Sequence, residues 1–353
     1  MVTPRRWPRR TVLLGGLGLG LFALAVLSAT IGTLPISLPQ MAAITLDRLG
    51  LPSLGVAYGP AEEAVFWSIR LPRVLLAILV GAALAVAGAA MQGLFRNPLA
   101  DPGLIGVSSG GAMGAVVAIV LGDVIGDWVP LGVWLLPVFA MITGVAVTLL
   151  IYQIAKIDGQ THVATMLLTG IAVNAFAGAL IGTMIYLATD DQLRRFTFWT
   201  LGSLGAANWT SVLVGAVFIL PPLLVLPRAA RALDALLLGE AEAGHLGIDA
   251  QRLKRWLIIG TAAMVGVSVA LCGMIGFIGL VVPHLIRLVL GPSHRTLLPA
   301  SALLGGALLL AADLGARTLD PPAEVPIGIL TALIGAPFFI YLLLKGKRHL
   351  TWG

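Results

Sequence analysis

The chain has 353 residues, of which 58% are hydrophobic and 11% charged, with a formal net charge of +6. Soluble domains carry roughly 25% charged residues, so a mean hydropathy of +1.00 excludes an ordinary water-soluble enzyme and indicates a polytopic membrane protein. The 43 glycines suit close helix packing in lipid, and the lone Cys272, inside an apolar run, leaves no internal disulfide.

The N-terminus, MVTPRRWPRRTVLLGGLGLGLFALAVLSATIG, has the charged start and apolar run of a signal peptide. No clear small-x-small cleavage site precedes Pro35, so it reads as a retained first span. Apolar runs long enough for a ~30 Å hydrocarbon core, separated by charged or Pro/Gly breaks, predict an all-α protein with ten spans. They fall at about 11–33, 67–94, 103–121, 130–155, 162–189, 209–227, 251–272, 275–290, 296–319 and 326–344. The eighth is short, and the Gly273–Gly279 turn before it is tight. Between the first two spans, 34–66 reads as a Pro/Gly-rich outer loop, and Asp190–Phe196 reads as a short outer-surface helix or turn. The longest inner segment, 228–250, reads RAARALDALLLGEAEAGHLGIDA. It is amphipathic and helix-compatible, which also fits a plain solvated interfacial helix.

Basic residues set the orientation. With both termini cytoplasmic, the inner segments collect Arg5, Arg6, Arg9, Arg10, Arg96, Lys156, Arg228, Arg231, Arg252, Lys254, Arg255, Arg287, Arg295, Lys345, Lys347 and Arg348, sixteen of the 22. Arg48, Arg70, Arg73, Arg194, Arg195 and Arg317 stay outside, where ten of the 16 acidic residues also fall. Removing one span breaks this partition.

Catalytic patterns are mostly missing. There is no GxxxxGK[ST] phosphate loop, and His162, His245, His284, His294 and His349 all fall at or near the inner face without HExxH or CxxC company. No metal site, catalytic residue or nucleic-acid interface is expected. Gly106-Val107-Ser108-Ser109-Gly110 fits the GxSxG pattern of a serine nucleophile and of intramembrane serine proteases, yet no histidine is expected at its depth to act as base. The run reads instead as small residues that let a helix start close to a neighbour. Ion-coupled secondary transporters place carboxylates or His relays near the midplane. Here the exception is Asp313, one turn before Arg317, where a local pair with that arginine accounts for it. An ion-coupled carrier is therefore disfavoured and a separate engine is implied. Arg70 and Arg73, three apart with Pro72 between, and Arg317 suit either docking of a partner's carboxylates or interfacial anchoring.

Four blocks resemble a known family: RLPR (70–73), GAALAVAGAAMQGLFRNPLADPGLIGVSSG (81–110), GFIGLVVPHLIRLVLGPSHR (276–295) and PIGILTALIGAPFFIYLLLK (326–345). They look like the permease subunits of type II ABC importers for ferric siderophores, heme and cobalamin. The resemblance implies one transmembrane permease domain over 1–353, which homodimerises in the bacterial inner membrane around a central pathway. Two copies of a cytoplasmic ATPase, which alone binds ATP, would sit below and one periplasmic binding protein above. It implies that Arg70, Arg73 and Arg317 meet acidic residues of the binding protein. Leu237, Gly239, Glu240, Ala243, Leu246 and Gly247 match the coupling segment, so 233–248 would fit a groove in the ATPase. The pathway would run along span five, near Thr169, Asn174, Thr183 and Met184. No cofactor is permanently bound. FWTLGSLGAANW (198–209) and GEAEAGHLGID (239–249) look most like the heme-importing branch, which makes heme the expected cargo and leaves ferric siderophores and cobalamin as alternatives.

Overall fold

The computed structural model describes residues 9–52, 54–321 and 323–350. Of the charges used for orientation, Arg5 and Arg6 lie outside the described residues, as do the side chains of Arg9, Lys345, Lys347 and Arg348. The chain is helical almost throughout, and its single pair of strands among the described residues is a two-residue hairpin, β1 (Lys156–Ile157) with β2 (Gln160–Thr161).

In chain order the helices are α1 (Arg9–Thr30), α2 (Leu38–Arg48), α3 (Pro60–Leu94), α4 (Val107–Val120), α5 (Leu135–Ile154), α6 (Val163–Leu187) and α7 (Asp190–Thr200). Then come α8 (Trp209–Val225), α9 (Ala230–Leu236), α10 (Glu240–His245), α11 (Ala250–Cys272), α12 (Ile278–Leu290), α13 (His294–Thr318) and α14 (Ile327–Leu350). Among the described residues, seven helical stretches are long and apolar enough to cross a membrane: those built on α1, α3, α5, α6, α8, α11 and α13. Val107–Val120, Ile278–Leu290 and Ile327–Tyr341 are apolar but shorter.

Helix α3 is the hub, because its composition lets it be. From Gly81 to Gly93 it carries almost only Gly, Ala, Val and Leu, and nearly every residue is buried. Gly81 faces Gly305 and Gly306 of α13, so a Cβ there would run into the Gly305 carbonyl. Gly88 meets Gly279 of α12 in the same way. These backbone-to-backbone approaches replace the hydrophobic driving force that lipid does not supply between helices.

Three local features depart from the sequence reading. The outer loop 34–66 contains α2, which Ser37 and Gln40 start with a capping box and Pro39 at the first turn. Helix α3 begins several residues earlier than expected and passes through a π-helical turn, Val65–Arg70. Pro72 has no N–H to donate, which suits a change of hydrogen-bond register just before it. The segment 228–250 is not one helix. It breaks at Gly239, whose φ of 126° only glycine adopts without strain.

Candidate functional sites at the two ends of the bundle

At one end, three arginines share one cluster. Arg73 donates from Nε to both Asp313 oxygens at 2.9 and 3.1 Å, and from Nη1 and Nη2 to the two Glu324 oxygens at 2.7 and 2.9 Å. The latter is the parallel fork that a guanidinium makes with a carboxylate. Asp313 is fully buried and also lies 3.7 Å from the Arg317 Nε. Arg317 donates to the Ile31 carbonyl at 2.6 Å, to the Ser28 hydroxyl at 2.9 Å and to the Ser28 carbonyl. Arg70 donates to the carbonyls of Ala29 and Thr30, both at 2.9 Å, and of Leu34. The last carbonyls of a helix lack partners and carry its negative end, so Arg70 and Arg317 together cap α1.

All three arginines are thus drawn together, but inward. Arg70 and Arg73 are buried, Arg317 is half-buried, and the most exposed member of the cluster is Glu324. Hydrogen bonds from Arg73 hold the Glu324 carboxyl below its ordinary range. The Asp313–Arg317 pair expected from spacing is present, at longer range than the Arg73–Asp313 pair that spacing does not show.

At the other end, Lys254 of α11 is 1% exposed and its Nζ donates to Glu240 at 2.6 Å and to the Thr161 carbonyl at 2.7 Å. One turn back, Gln251 accepts from the Thr161 N–H at 2.8 Å. Two side chains three apart on α11 therefore hold both peptide groups of Thr161, the residue before the N-cap of α6. A second tie joins α9 to α13: Asp234 accepts from the His294 backbone N–H at 2.8 Å and from Ser293 at 3.1 Å, with His294 Nδ1 at 2.6 Å. A carboxylate at a helix N-terminus is favourably placed for the dipole.

The coupling candidates divide between two faces. Leu237 and Leu246 are exposed, with Leu238 beside them at 70%. Ala243 is fully buried and Glu240 turns in to Lys254. Gly239 and Gly247 hold positive-φ turns at either side of α10.

The four pathway candidates lie along α6 but do not share one environment. Thr183 is exposed and Thr169 half-buried. Met184 packs with Phe196 and Val116. Asn174 accepts from the Ser109 hydroxyl at 2.5 Å and donates to the Gly103 carbonyl at 3.2 Å. Ser109 also donates to the Gly106 carbonyl, so its partners are an amide and a peptide oxygen, neither of them a base. Gly106, with φ of 80°, turns the chain into α4, and Gly110 and Gly114 lie against Thr143 and Phe139 of α5. The glycines of the motif are packing positions, and its central serine, Ser108, lines a small cavity with Asp101 and Gly103 whose lining includes no histidine. Much of α6 remains uncovered, with Leu168, Ile171, Phe176 and Tyr186 all strongly exposed. Nearby, Leu201, Met274, Phe277, Ile329 and Leu333 line an apolar cavity of about 610 Å³.

A bundle of apolar helices around a glycine-packed hub, with its buried ion pairs at its two ends, is the architecture of a multi-pass membrane permease. Over residues 20–345 the sequence matches the model of the FecCD transport family, and the chain belongs to that family. It is 47% identical over 285 residues to the hemin transport system permease protein HmuU of Yersinia pestis, covering 81% of this chain and 84% of that one. It is 40% identical to the cobalamin import system permease protein BtuC of Halobacterium salinarum, with 92% and 94% covered. A solved inward-facing metal-chelate type ABC transporter superposes with a TM-score of 0.80 at 34% identity, covering 95% of this chain and 99% of that one. The chain is the permease of an ABC importer.

Proposed function

We propose that this permease passes heme inward across the bacterial inner membrane, as a homodimer with two ATPase subunits and one periplasmic binding protein. Ten spans with both termini cytoplasmic accommodate the seven long and three shorter apolar helices and keep sixteen of the 22 basic residues inside. The observation that carries the reading is the segment 228–250. It is tied to the bundle at Glu240 and Asp234 and turns Leu237, Leu238 and Leu246 outward. An apolar knob held rigidly on the cytoplasmic face is what a groove in an ATPase can push. Movement of α10 would reach α6 through Lys254 and Thr161.

At the outer end, carboxylates of the binding protein would replace Glu324 on Arg73, because Glu324 is the most exposed member of that cluster. The uncovered apolar face of α6 serves as dimer surface and pathway wall. The 610 Å³ apolar cavity suits a flat macrocycle, and no axial ligand is needed to pass it on.

Heme is favoured by the 47% identity to the hemin permease, and cobalamin is the second reading because the cobalamin permeases stand at 40–43%. Reconstitution in liposomes with the co-encoded ATPase and binding protein separates them. ATP-dependent accumulation of heme, without cyanocobalamin or a ferric siderophore, is the expected result. Gradient-driven uptake by this chain alone would overturn the importer reading altogether.

A further inference from the structure

Pro221 and Pro222 lie inside α8, close to its end, and neither can donate a backbone hydrogen bond. Helix α8 packs on α11 where Pro222 meets Gly260; a Cβ at Gly260 would lie 3.3 Å from the proline ring. Around that crossing the two helices enclose a cavity of about 750 Å³. Its walls are apolar, formed by Val225, Leu226, Leu257, Ile259 and Ala263, and Arg228 and Arg252 line it at the end nearest the 228–250 segment. Arg228 donates to the Leu224 carbonyl at 3.0 Å. The Arg252 side chain is exposed and has no hydrogen bond or ion pair among the described residues. Asp249, which lines an adjoining hollow with Arg252, is occupied in capping the Arg252 backbone N–H at 2.9 Å. Trp256, 58% exposed, stands one turn above Arg252.

We infer that this cavity is a binding site for one anionic phospholipid of the cytoplasmic leaflet. The two guanidiniums match a phosphodiester, which arginine binds as a fork. Trp256 sits at the level where indole rings favour the membrane interface. From Arg252 to Ala263 the wall rises eleven residues along α11, about 16 Å at 1.5 Å per residue. That is about half of a ~30 Å hydrocarbon core, the depth of one leaflet and the reach of an acyl chain. An acidic patch on the ATPase could use the arginines but would leave the apolar wall empty. The site rests on the inside orientation of this end, as does the proposed function.

The test uses the full chain in nanodiscs made from equal amounts of phosphatidylglycerol and phosphatidylcholine, followed by native mass spectrometry of the lipids that stay bound. Wild type should retain phosphatidylglycerol over phosphatidylcholine by up to roughly thirtyfold, the weight of two basic side chains at an anionic surface. The R228Q/R252Q variant should retain both equally, Arg252→Lys should keep part of the preference, and added inorganic phosphate should not displace the lipid. Equal retention by wild type, or undiminished preference in the double variant, overturns the site. So does a double variant that keeps its lipid but no longer co-purifies with the ATPase, which would assign the arginines to that partner. ATP-dependent uptake is measured on the same protein reconstituted in liposomes with the ATPase and binding protein. Its absence in wild type would count against the proposed function while leaving the lipid result to be read separately.

Discussion

The two ends of the bundle bury their cations differently. At the Arg73 end, Arg73 and Arg317 meet one buried carboxylate, Asp313, and Arg70 and Arg317 take the carbonyls that close α1, while the most exposed member is an acid from the α13–α14 connection, Glu324. At the Lys254 end, one buried ammonium ties a surface segment to the start of a long helix. The first is a cluster whose exposed ligand a partner's carboxylate can replace without disturbing the rest. In the second, Glu240 is as exposed as Glu324, but Lys254 also holds the buried Thr161 carbonyl, a backbone partner that no outside carboxylate can replace, and a load on α10 reaches α6 through that contact. Helix α13 joins the two regions: His294 at its start is held by Asp234, and Asp313 near its end sits under Arg73. Its 25 residues span about 36 Å as a rigid rod.

The Arg73 cluster is most vulnerable at Asp313. Asp313→Asn leaves Arg73 and Arg317 buried with one fewer counter-charge, and removing one partner of a buried pair costs about 3 kcal/mol or more. Thermal unfolding in detergent should show this as the largest loss of any single change considered. A loss no greater than that of a surface substitution would mean that the cluster is held by Glu324 and the α1 carbonyls alone.

Lys254→Met should cost less, about 2 kcal/mol, since Glu240 regains water while only the Thr161 carbonyl is left buried. Its functional cost should be greater. In the assembled complex ATP hydrolysis should persist while uptake falls, and Lys254→Arg should restore part of it. Exchanging the charges, Lys254→Glu with Glu240→Lys, should not restore uptake, because a carboxylate cannot donate to the Thr161 carbonyl. Recovery in the exchanged variant would reduce the strut to an ordinary ion pair.

The sequence shows the ends of these ties better than their partners. RLPR can be read as a cationic motif, and the glycine spacing of 81–93 as close packing, because both signals are local. Glu324 lies 251 residues from Arg73, and the α1 carbonyls are backbone atoms with no sequence signature. Only tertiary packing brings them together. Lys254 can be read as an inner-face charge by the basic-residue bias, but that bias says nothing of burial. Helix α2 is missed because its Pro39 reads as a loop signal, although Pro in a first turn is tolerated and Ser37 with Gln40 is a start signal. The eighth span begins late because Phe277 takes a φ of 67°, which no pattern of apolar residues foretells. Of the coupling candidates, a glycine–glutamate pair can be found by motif, whereas the inward turn of Glu240 and Ala243 and the outward turn of Leu238 need the structure.

Glu324 gives the smallest and most discriminating test. Glu324→Gln should cost about 1 kcal/mol or less, since the pair is partly exposed and solvent screens it. Because Arg73 holds the Glu324 carboxyl below its ordinary value of 4.5, the folded state binds that proton more weakly than the unfolded chain does. The contribution is therefore complete above the ordinary glutamate range and is lost as the pH falls through the lowered value. The difference in unfolding temperature between wild type and Glu324→Gln should be constant near neutrality and shrink only on acidification below that range. Freed from its internal acid, Arg73 in the variant should take up the binding protein several-fold more tightly at neutral pH. Weaker capture would mean that Glu324 orients Arg73 for its partner. Unchanged capture would mean that docking does not pass through Arg73, and the contrast between a replaceable outer ligand and an irreplaceable inner strut would fall with it.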